Sequence, residues 1–391
     1  MGPWWLAWQY VWGNRSRSIT LIACVSLVCF LPMLVSFLTA MFQSELLTRS
    51  QNTPLLVGPK GSRYDLVLQS LYFEGQGLGT IPAGEIDRIQ ESQQVQTIPL
   101  FVKHHAKGFP VVGTTLDYIA HRQLRIASGT NLQQIGDCIV GARVATRAHL
   151  VPGSKILTDS NNVFDLAGQT PLRMNVVGVL APSQTPDDDA IFVDLKTAWI
   201  IEGIGHGHDD VTKVDPSMLI ENKDRRVKAS AGVLAYTEIT DSNRDSFHFH
   251  GDPSTFPITS ILAIPTDERA MSLFMGRYLD PKESMQIVPP QDVMRELLSF
   301  VFRAKRFFDV QSILVGIATL LLLSLVMMLS ARLRQREMET LLKIGASRQT
   351  IALLFVAEWV YISCASALVV AILLAATLPW ASQGLRYLLF S

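Results

Sequence analysis

The 391 residues carry 34 basic and 34 acidic side chains, so no global positive field points to nucleic acid. The hydrophobic share is an ordinary 48%, but it is gathered into three long stretches, which excludes a chain that is water-soluble throughout. Cys24, Cys29 and Cys364 lie in those stretches and Cys138 stands alone between them, so no disulfide framework is expected.

Residues 1–17 begin with Trp4, Trp5, Trp8 and Trp12 on one helical face, with Arg15 and Arg17 following. This pattern predicts an amphipathic helix lying in the membrane–water interface, in contact with lipid, with a core helix packed on protein as the alternative. From Ser18 to Phe42 there is no charged side chain. A helix needs about 20 residues to cross the hydrocarbon core, so 18–42 is read as a first span. It is longer than the apolar core of a signal peptide, about 7–15 residues, and is read as retained.

Residues 43–306 alternate β-branched runs with Gly, Pro, Asn and Asp clusters, as a folded α+β domain does. Strands are predicted at 65–68, 95–102, 111–115, 172–180, 190–194, 232–238 and 258–264. The segment 138–150 starts strand-like and turns helical. Helices are predicted at 83–93 and at 268–279, the second capped by Thr266 and Asp267. From Gln291 to Phe308 apolar residues recur at helical spacing with no break before the next apolar stretch, so one long helix leaves the domain and becomes the second span, 307–331.

Residues 332–350 form a polar connection, and 351–381 a third span whose only charge is Glu358. An ionisable side chain inside a span is a functional candidate; Glu358 sits near the inner end and has basic residues of the connection within reach. The 332–348 loop is the denser in Lys and Arg, which favours a cytoplasmic place for it, although the counts on the two sides are nearly even. The fold class expected is thus an α+β membrane protein: three transmembrane helices with a large α+β extracytoplasmic domain inserted between the first and second.

The connection reads Arg332-Leu-Arg-Gln-Arg-Glu-Met-Glu-Thr-Leu-Leu-Lys-Ile-Gly-Ala-Ser-Arg-Gln-Thr350. Leu341, Leu342 and Ile344 give its helix an apolar edge, and Arg336, Glu337, Glu339 and Lys343 a polar one; a solvated loop and a grip for a partner both fit that pattern. Arg334, Glu337, Leu341, Ile344, Gly345, Ala346, Ser347 and Ile351 resemble the coupling segment of the FtsX-like (MacB/LolE-type) permeases of ABC transporters. One position departs, with Leu342 where the family has a basic residue and Lys343 one place later. The resemblance implies an inner-membrane permease subunit with its large domain in the periplasm. It also implies a separate ATPase carrying Mg-ATP, a second permease copy, and a periplasmic substrate-binding or adaptor protein. Arg334, Arg336, Glu337, Glu339, Leu341, Lys343, Gly345, Ala346, Ser347 and Arg348 would form the ATPase-coupling surface. The chain itself has no G-x-x-x-x-G-K-(S/T) phosphate loop, so no catalysis and no nucleotide cofactor are expected on it. The family usually has a fourth span; residues 382–391 are too short to cross again and read as a short extracytoplasmic tail, which fits either a three-span branch or a chain whose last span is missing.

All eight histidines lie in the inserted domain, four of them in two alternate pairs: His206 with His208, followed by Asp209, and His248 with His250. Residues two apart on a strand share a face, so each pair can offer two imidazoles to one ion, and zinc suits that donor set. Solvated polar loops explain such pairs equally well. The run Thr185-Pro186-Asp187-Asp188, the following Ile-Phe-Val-Asp-Leu strand and the Gly-His-Gly-His segment look like a branch of the same permeases associated with zinc-related transport. His104-His105 is adjacent rather than alternate and reads as structural. The competing reading is a membrane-anchored periplasmic metal receptor or sensor without ATPase coupling. A zinc hydrolase is disfavoured by the lack of H-E-x-x-H and G-x-S-x-G.

Overall fold

Apolar runs are longest where the helices are longest. The structure is a computed structural model describing the chain except residues 1, 76–77, 92–93, 160–170, 208–218, 224–225, 230–236, 281 and 390–391. The side chains of 44–46, 219–237 and 381–389 also lie outside the description. In chain order the helices are α1 (Pro3–Gly13), α2 (Arg15–Gln51), α3 (Arg63–Tyr72), α4 (Gly84–Gln90), α5 (Leu116–His121), α6 (Ala142–Ala148), α7 (Leu195–Ile201), α8 (Glu268–Arg277), α9 (Pro290–Leu333), α10 (Gln335–Lys343) and α11 (Arg348–Leu389). Two compact units result: Met1–Glu45 with Glu296–Ser391, and Leu46–Arg295.

In the helical unit, α2, α9 and α11 are long and apolar enough to cross a membrane. They extend past the expected spans 18–42, 307–331 and 351–381, because helix continues wherever nothing breaks it, into polar sequence at both ends. The helix that begins before the second span is continuous, with 44 residues in α9. Leu21, Leu323 and Ile362 form a small buried cluster with Val25, Val326 and Trp359 around it. Ser26 Oγ donates to the Ser366 carbonyl at 3.3 Å and Ser366 Oγ to the Ile22 carbonyl at 3.4 Å, which ties α2 to α11 through small side chains and their backbones. Helix α1 packs along α11, with Trp4 and Trp8 edge-on to Tyr361 at 6.1 and 5.4 Å. Its four tryptophans nevertheless stay 44–50% exposed, so the aromatic face is shared between protein and surroundings.

Among the described residues, the second unit is built on an 11-stranded mixed sheet. Its pivot is the strand Val95–Ala106. The first half of that strand pairs with Ser260–Pro265 and the second half with Phe109–Thr114, with a register shift between Val102 and His104. On one side the sheet continues through Leu55–Pro59 to Met285–Val288. On the other it continues through Ile191–Asp194, Asp137–Val140 and Leu172–Leu180, where parallel pairs appear. Leu172–Leu180 alternates buried and half-buried residues along its whole length, the period-two pattern of a strand covered on one face.

Most expected elements form within a few residues, and the unit Leu46–Arg295 is narrower than 43–306 because Glu296 onward belongs to the helical unit. One assignment is corrected: Asp65–Leu68 is not a strand but part of α3. Ser62 caps it by accepting from the Asp65 amide at 3.2 Å, and Leu66, Val67 and Leu71 are buried. Four residues of mixed polarity satisfy either period, and the cap decides. Of the expected strand at 232–238 only Thr237–Glu238 falls among the described residues, pairing parallel with Leu172–Leu180. Asp267 is the cap of α8, accepting from the Ala270 amide at 2.6 Å.

Candidate coupling segment and histidine cluster

The segment between the second and third spans is a helix–turn–helix whose turn is specified residue by residue. Helix α9 stops where Arg334 leaves helical geometry (φ −97°, ψ 13°), and α10 begins one residue later. At the far end Ile344 is the C-cap and Gly345 adopts φ +101°, a left-handed conformation that favours glycine. The Ala346 amide donates to the Leu341 carbonyl and the Gly345 amide to the Leu342 carbonyl, both at 3.0 Å. These are the two closing bonds of a Schellman C-cap. Ser347 then caps α11 by accepting from the Thr350 amide at 3.1 Å. Gly345, Ala346 and Ser347 therefore set the angle between two helices.

Arg336, Glu337, Glu339, Lys343 and Arg348 are exposed, and so are the apolar Leu342 and Ile344, at 42% and 78%; Leu341 is half-buried. Arg334 is placed differently from its neighbours. It is buried, its guanidinium lies 4.3 Å from the centre of the Tyr10 ring, and its Nη2 is 3.6 Å from Glu358 Oε1. Glu358 has no exposed surface and also pairs with Arg17, which in turn donates to Ser330 Oγ. Tyr10 completes the set by donating to Glu337 Oε2 at 3.0 Å. A buried carboxylate flanked by two guanidinium groups is the arrangement an ionisable residue inside a span requires. Sequence reasoning found Glu358 and a coupling-segment partner for it, but not Arg17 or Tyr10, which only the packing brings near.

In the extramembrane unit the last turn of α2 carries Arg49, whose side chain is 5% exposed. It donates to both oxygens of Asp187 at 2.5 and 2.9 Å and to Tyr118 Oη at 2.9 Å. Tyr118 Oη donates in turn to Asp187 Oδ1 at 2.8 Å. Burial alone would raise the Asp187 carboxyl; the charge and hydrogen bonds of Arg49, helped by Arg122 and Tyr118, bring it down to about 2. Burial pushes the Tyr118 phenol up to about 12 against the opposing charge of Arg49. The neighbouring acids are engaged as well: Asp188 accepts from the Ser183 and Gln184 amides at 2.8 Å, and Asp189 pairs with Arg143. This acidic turn is tied to α2, α6 and its own loop through Arg49, Arg143 and the Ser183 and Gln184 amides.

Among the five expected metal-ligating residues, the structure brings together His206, His248 and His250; His208 and Asp209 lie outside the described residues. The strand Gly205–His206 pairs antiparallel with His248–Phe249, placing His206 opposite His248, and the His250 amide donates to the Ile204 carbonyl at 3.4 Å. One ring nitrogen from each histidine lies within 4.8 Å of the other two. His104 serves otherwise: it is buried, with Nε2 2.8 Å from Glu202.

Three apolar helices and a large α+β domain between the first and second define a multi-pass membrane protein with an extramembrane domain. No protein-family model matches the chain, and no curated protein matches it in sequence. Among solved structures, the periplasmic region of MacB from Actinobacillus actinomycetemcomitans is similar at 10% identity and TM-score 0.37, covering 64% of this chain and 97% of that one. The extracellular domain of the noncanonical ABC-type transporter YknZ from Gram-positive bacteria gives 11% and 0.35, covering 60% and 98%. A permease-protein domain from Porphyromonas gingivalis gives 10% and 0.25, covering 60% and 85%. These are distant likenesses.

Proposed function

We propose that the chain is the non-catalytic permease subunit of an ABC transporter of the MacB/FtsX type, with α10 as the docking helix for a separate ATPase. The observation that carries this reading is the coupling segment. Its R-x-x-E-x-x-x-L-x-x-I-G-A-S residues resolve into an exposed polar and apolar helix with a fixed turn at each end, while its one buried arginine is tied to the spans. A helix held in this way passes a push from a partner to α9 and α11 rather than absorbing it. Two permease copies over two ATPases would then convert ATP hydrolysis into movement of the spans. The extramembrane domain, on the periplasmic side of a bacterial inner membrane, would follow through α9 and through the Arg49 latch at the end of α2. A periplasmic adaptor or substrate-binding protein would act on that domain. The motif's resemblance supports an orientation with the coupling segment cytoplasmic.

Two links of this mechanism differ in kind. The rigid turn favours mechanical transmission; the histidine cluster favours a role in zinc-related envelope transport. The cluster by itself also favours a second reading, a membrane-anchored metal receptor with no ATPase. Purification of the full-length tagged chain in mild detergent, with mass spectrometry of what accompanies it, separates the two. The permease reading expects an ATPase bearing a phosphate loop in stoichiometric amount. A chain that purifies without one under conditions where its own oligomer survives contradicts the permease reading.

A further inference from the structure

The alternation of residues around His206 and His248 is stricter than a solvated loop needs. Gly205 and Gly207 face phenylalanine rings: a Cβ on Gly205 would lie 2.7 Å from the Phe249 ring, and one on Gly207 2.7 Å from the Phe247 ring. Phe249 packs 6.3 Å from Trp199 and 5.9 Å from Phe256, and Trp199 anchors the group by donating from Nε1 to the Pro257 carbonyl at 2.8 Å. One face of this short ribbon is therefore an aromatic staple into the core. Side-chain alternation sends the histidines to the other face, where the three rings cluster in tilted and edge-on pairs at centroid separations of 4.7–5.1 Å.

His248 is oriented by its own backbone. Its Nδ1 lies 3.0 Å from the Ser246 carbonyl, which can only accept, so in the neutral ring Nδ1 carries the proton and Nε2 carries the lone pair. A carbonyl partner on the far nitrogen is the usual support of a metal-ligating imidazole. A tetrahedral zinc ion with bonds of about 2.0–2.1 Å needs its nitrogen ligands roughly 3.3 Å apart. The nitrogens here lie within 4.8 Å of one another, and His206 and His250 are exposed, so rotation of their rings closes that gap.

From this geometry we infer that His206, His248 and His250 form a site for a zinc-class divalent cation, and that the site is labile rather than structural. Three imidazoles suit zinc or its first-row neighbours over magnesium or calcium. The ribbon is held by Trp199, Phe249 and Phe256, so its fold does not depend on an ion, unlike a structural zinc site whose binding energy is folding energy. Among the described residues three protein ligands are present, which leaves a fourth position through which the ion can be taken up and given away. The inference stands whether or not an ATPase binds α10.

The test uses the untagged full-length chain in detergent. Titration with Co2+ should give the intense visible absorption of a tetrahedral nitrogen-rich site, displaced by one equivalent of Zn2+. His206→Ala and His250→Ala, both at exposed positions, should each weaken Zn2+ binding at least 10-fold, while His121→Ala leaves it unchanged. Zn2+ should be stripped within minutes by a soluble chelator, and the stripped protein should stay folded, its thermal midpoint lowered only by the amount that ligand binding itself accounts for. Undiminished Zn2+ affinity in the His206 and His250 variants overturns the site. Unfolding of the protein on stripping the ion overturns its labile character.

Discussion

Glu358 and Arg17 form an ion pair in which the glutamate side chain has no exposed surface and the arginine keeps 22%. Arg334 approaches the same carboxylate oxygen to 3.6 Å. One acid from α11 thus faces a cation at the start of α2 and another at the break between α9 and α10. Every helix of the membrane unit except α1 supplies or borders this cluster, and α1 reaches it through the ring of Tyr10 under Arg334.

Removing one partner of a buried ion pair leaves the other uncompensated, at a cost of about 3–5 kcal/mol. Glu358→Gln strips two arginines at once and is expected to destabilise the helical unit by about 3 kcal/mol at least, read as a drop in thermal midpoint in detergent. Arg17→Met, which leaves Arg334 beside the acid, should cost less. Equal stability of Glu358→Gln and wild type would show that the cluster does not hold the spans.

Asp187 and Arg49 make the corresponding prediction in the extramembrane unit. Asp187→Asn should destabilise that domain by about 3–5 kcal/mol, because Arg49 stays buried without its counter-charge. The double variant Arg49→Met with Asp187→Leu should be less damaging than Asp187→Asn alone. Denaturant midpoints of the three proteins decide this, and a double variant worse than the single would contradict the account.

The same carboxyl gives a pH dependence. Its value falls from 3.8 to about 2 in the folded protein, so its contribution is fully present above about pH 4 and is lost as pH falls towards 2. The depression corresponds to about 2 kcal/mol. Stability measured from pH 5 to pH 2 should decline in wild type, and more shallowly in the Arg49→Met, Asp187→Leu protein.

Gly345 and Ser347 test the turn. Space is open around Gly345, with nothing within 4 Å of an added Cβ, so Gly345→Ala is penalised by backbone conformation alone, about 1–2 kcal/mol. Gly345→Asn should be better tolerated than Gly345→Val, since asparagine visits the left-handed region more readily. Ser347→Ala should cost about 1 kcal/mol as a lost cap. Thermal midpoints that do not separate valine from asparagine would remove the Schellman turn from the explanation.

Spans and the continuous α9 were legible because hydrophobic runs and unbroken helical spacing are local properties. The strand Leu172–Leu180 was legible for the same reason, with its period of two intact. Short segments were not: Asp65–Leu68 fits two periods, and Leu55–Pro59 and Met285–Val288 are brief strands whose identity depends on each other. Arg49, Arg17 and Tyr10 could not be assigned roles, because Asp187 lies 138 residues from Arg49 and Glu337 lies 327 from Tyr10. The histidines fall between these cases. The pairing of His248 with His250 on one face follows from alternation, whereas the approach of His206 is set by a strand register that no local pattern announces.

The central claim is that α10 is the grip of an ATPase. It is tested most directly by the amount of ATPase captured with the full-length chain when Glu337→Lys and Lys343→Glu are introduced together. Tyr10→Phe serves as the control that removes only the internal hydrogen bond to Glu337. The account expects capture to fall at least tenfold in the double reversal and to persist in the control. An ATPase that stays bound and coupled after both reversals would contradict it.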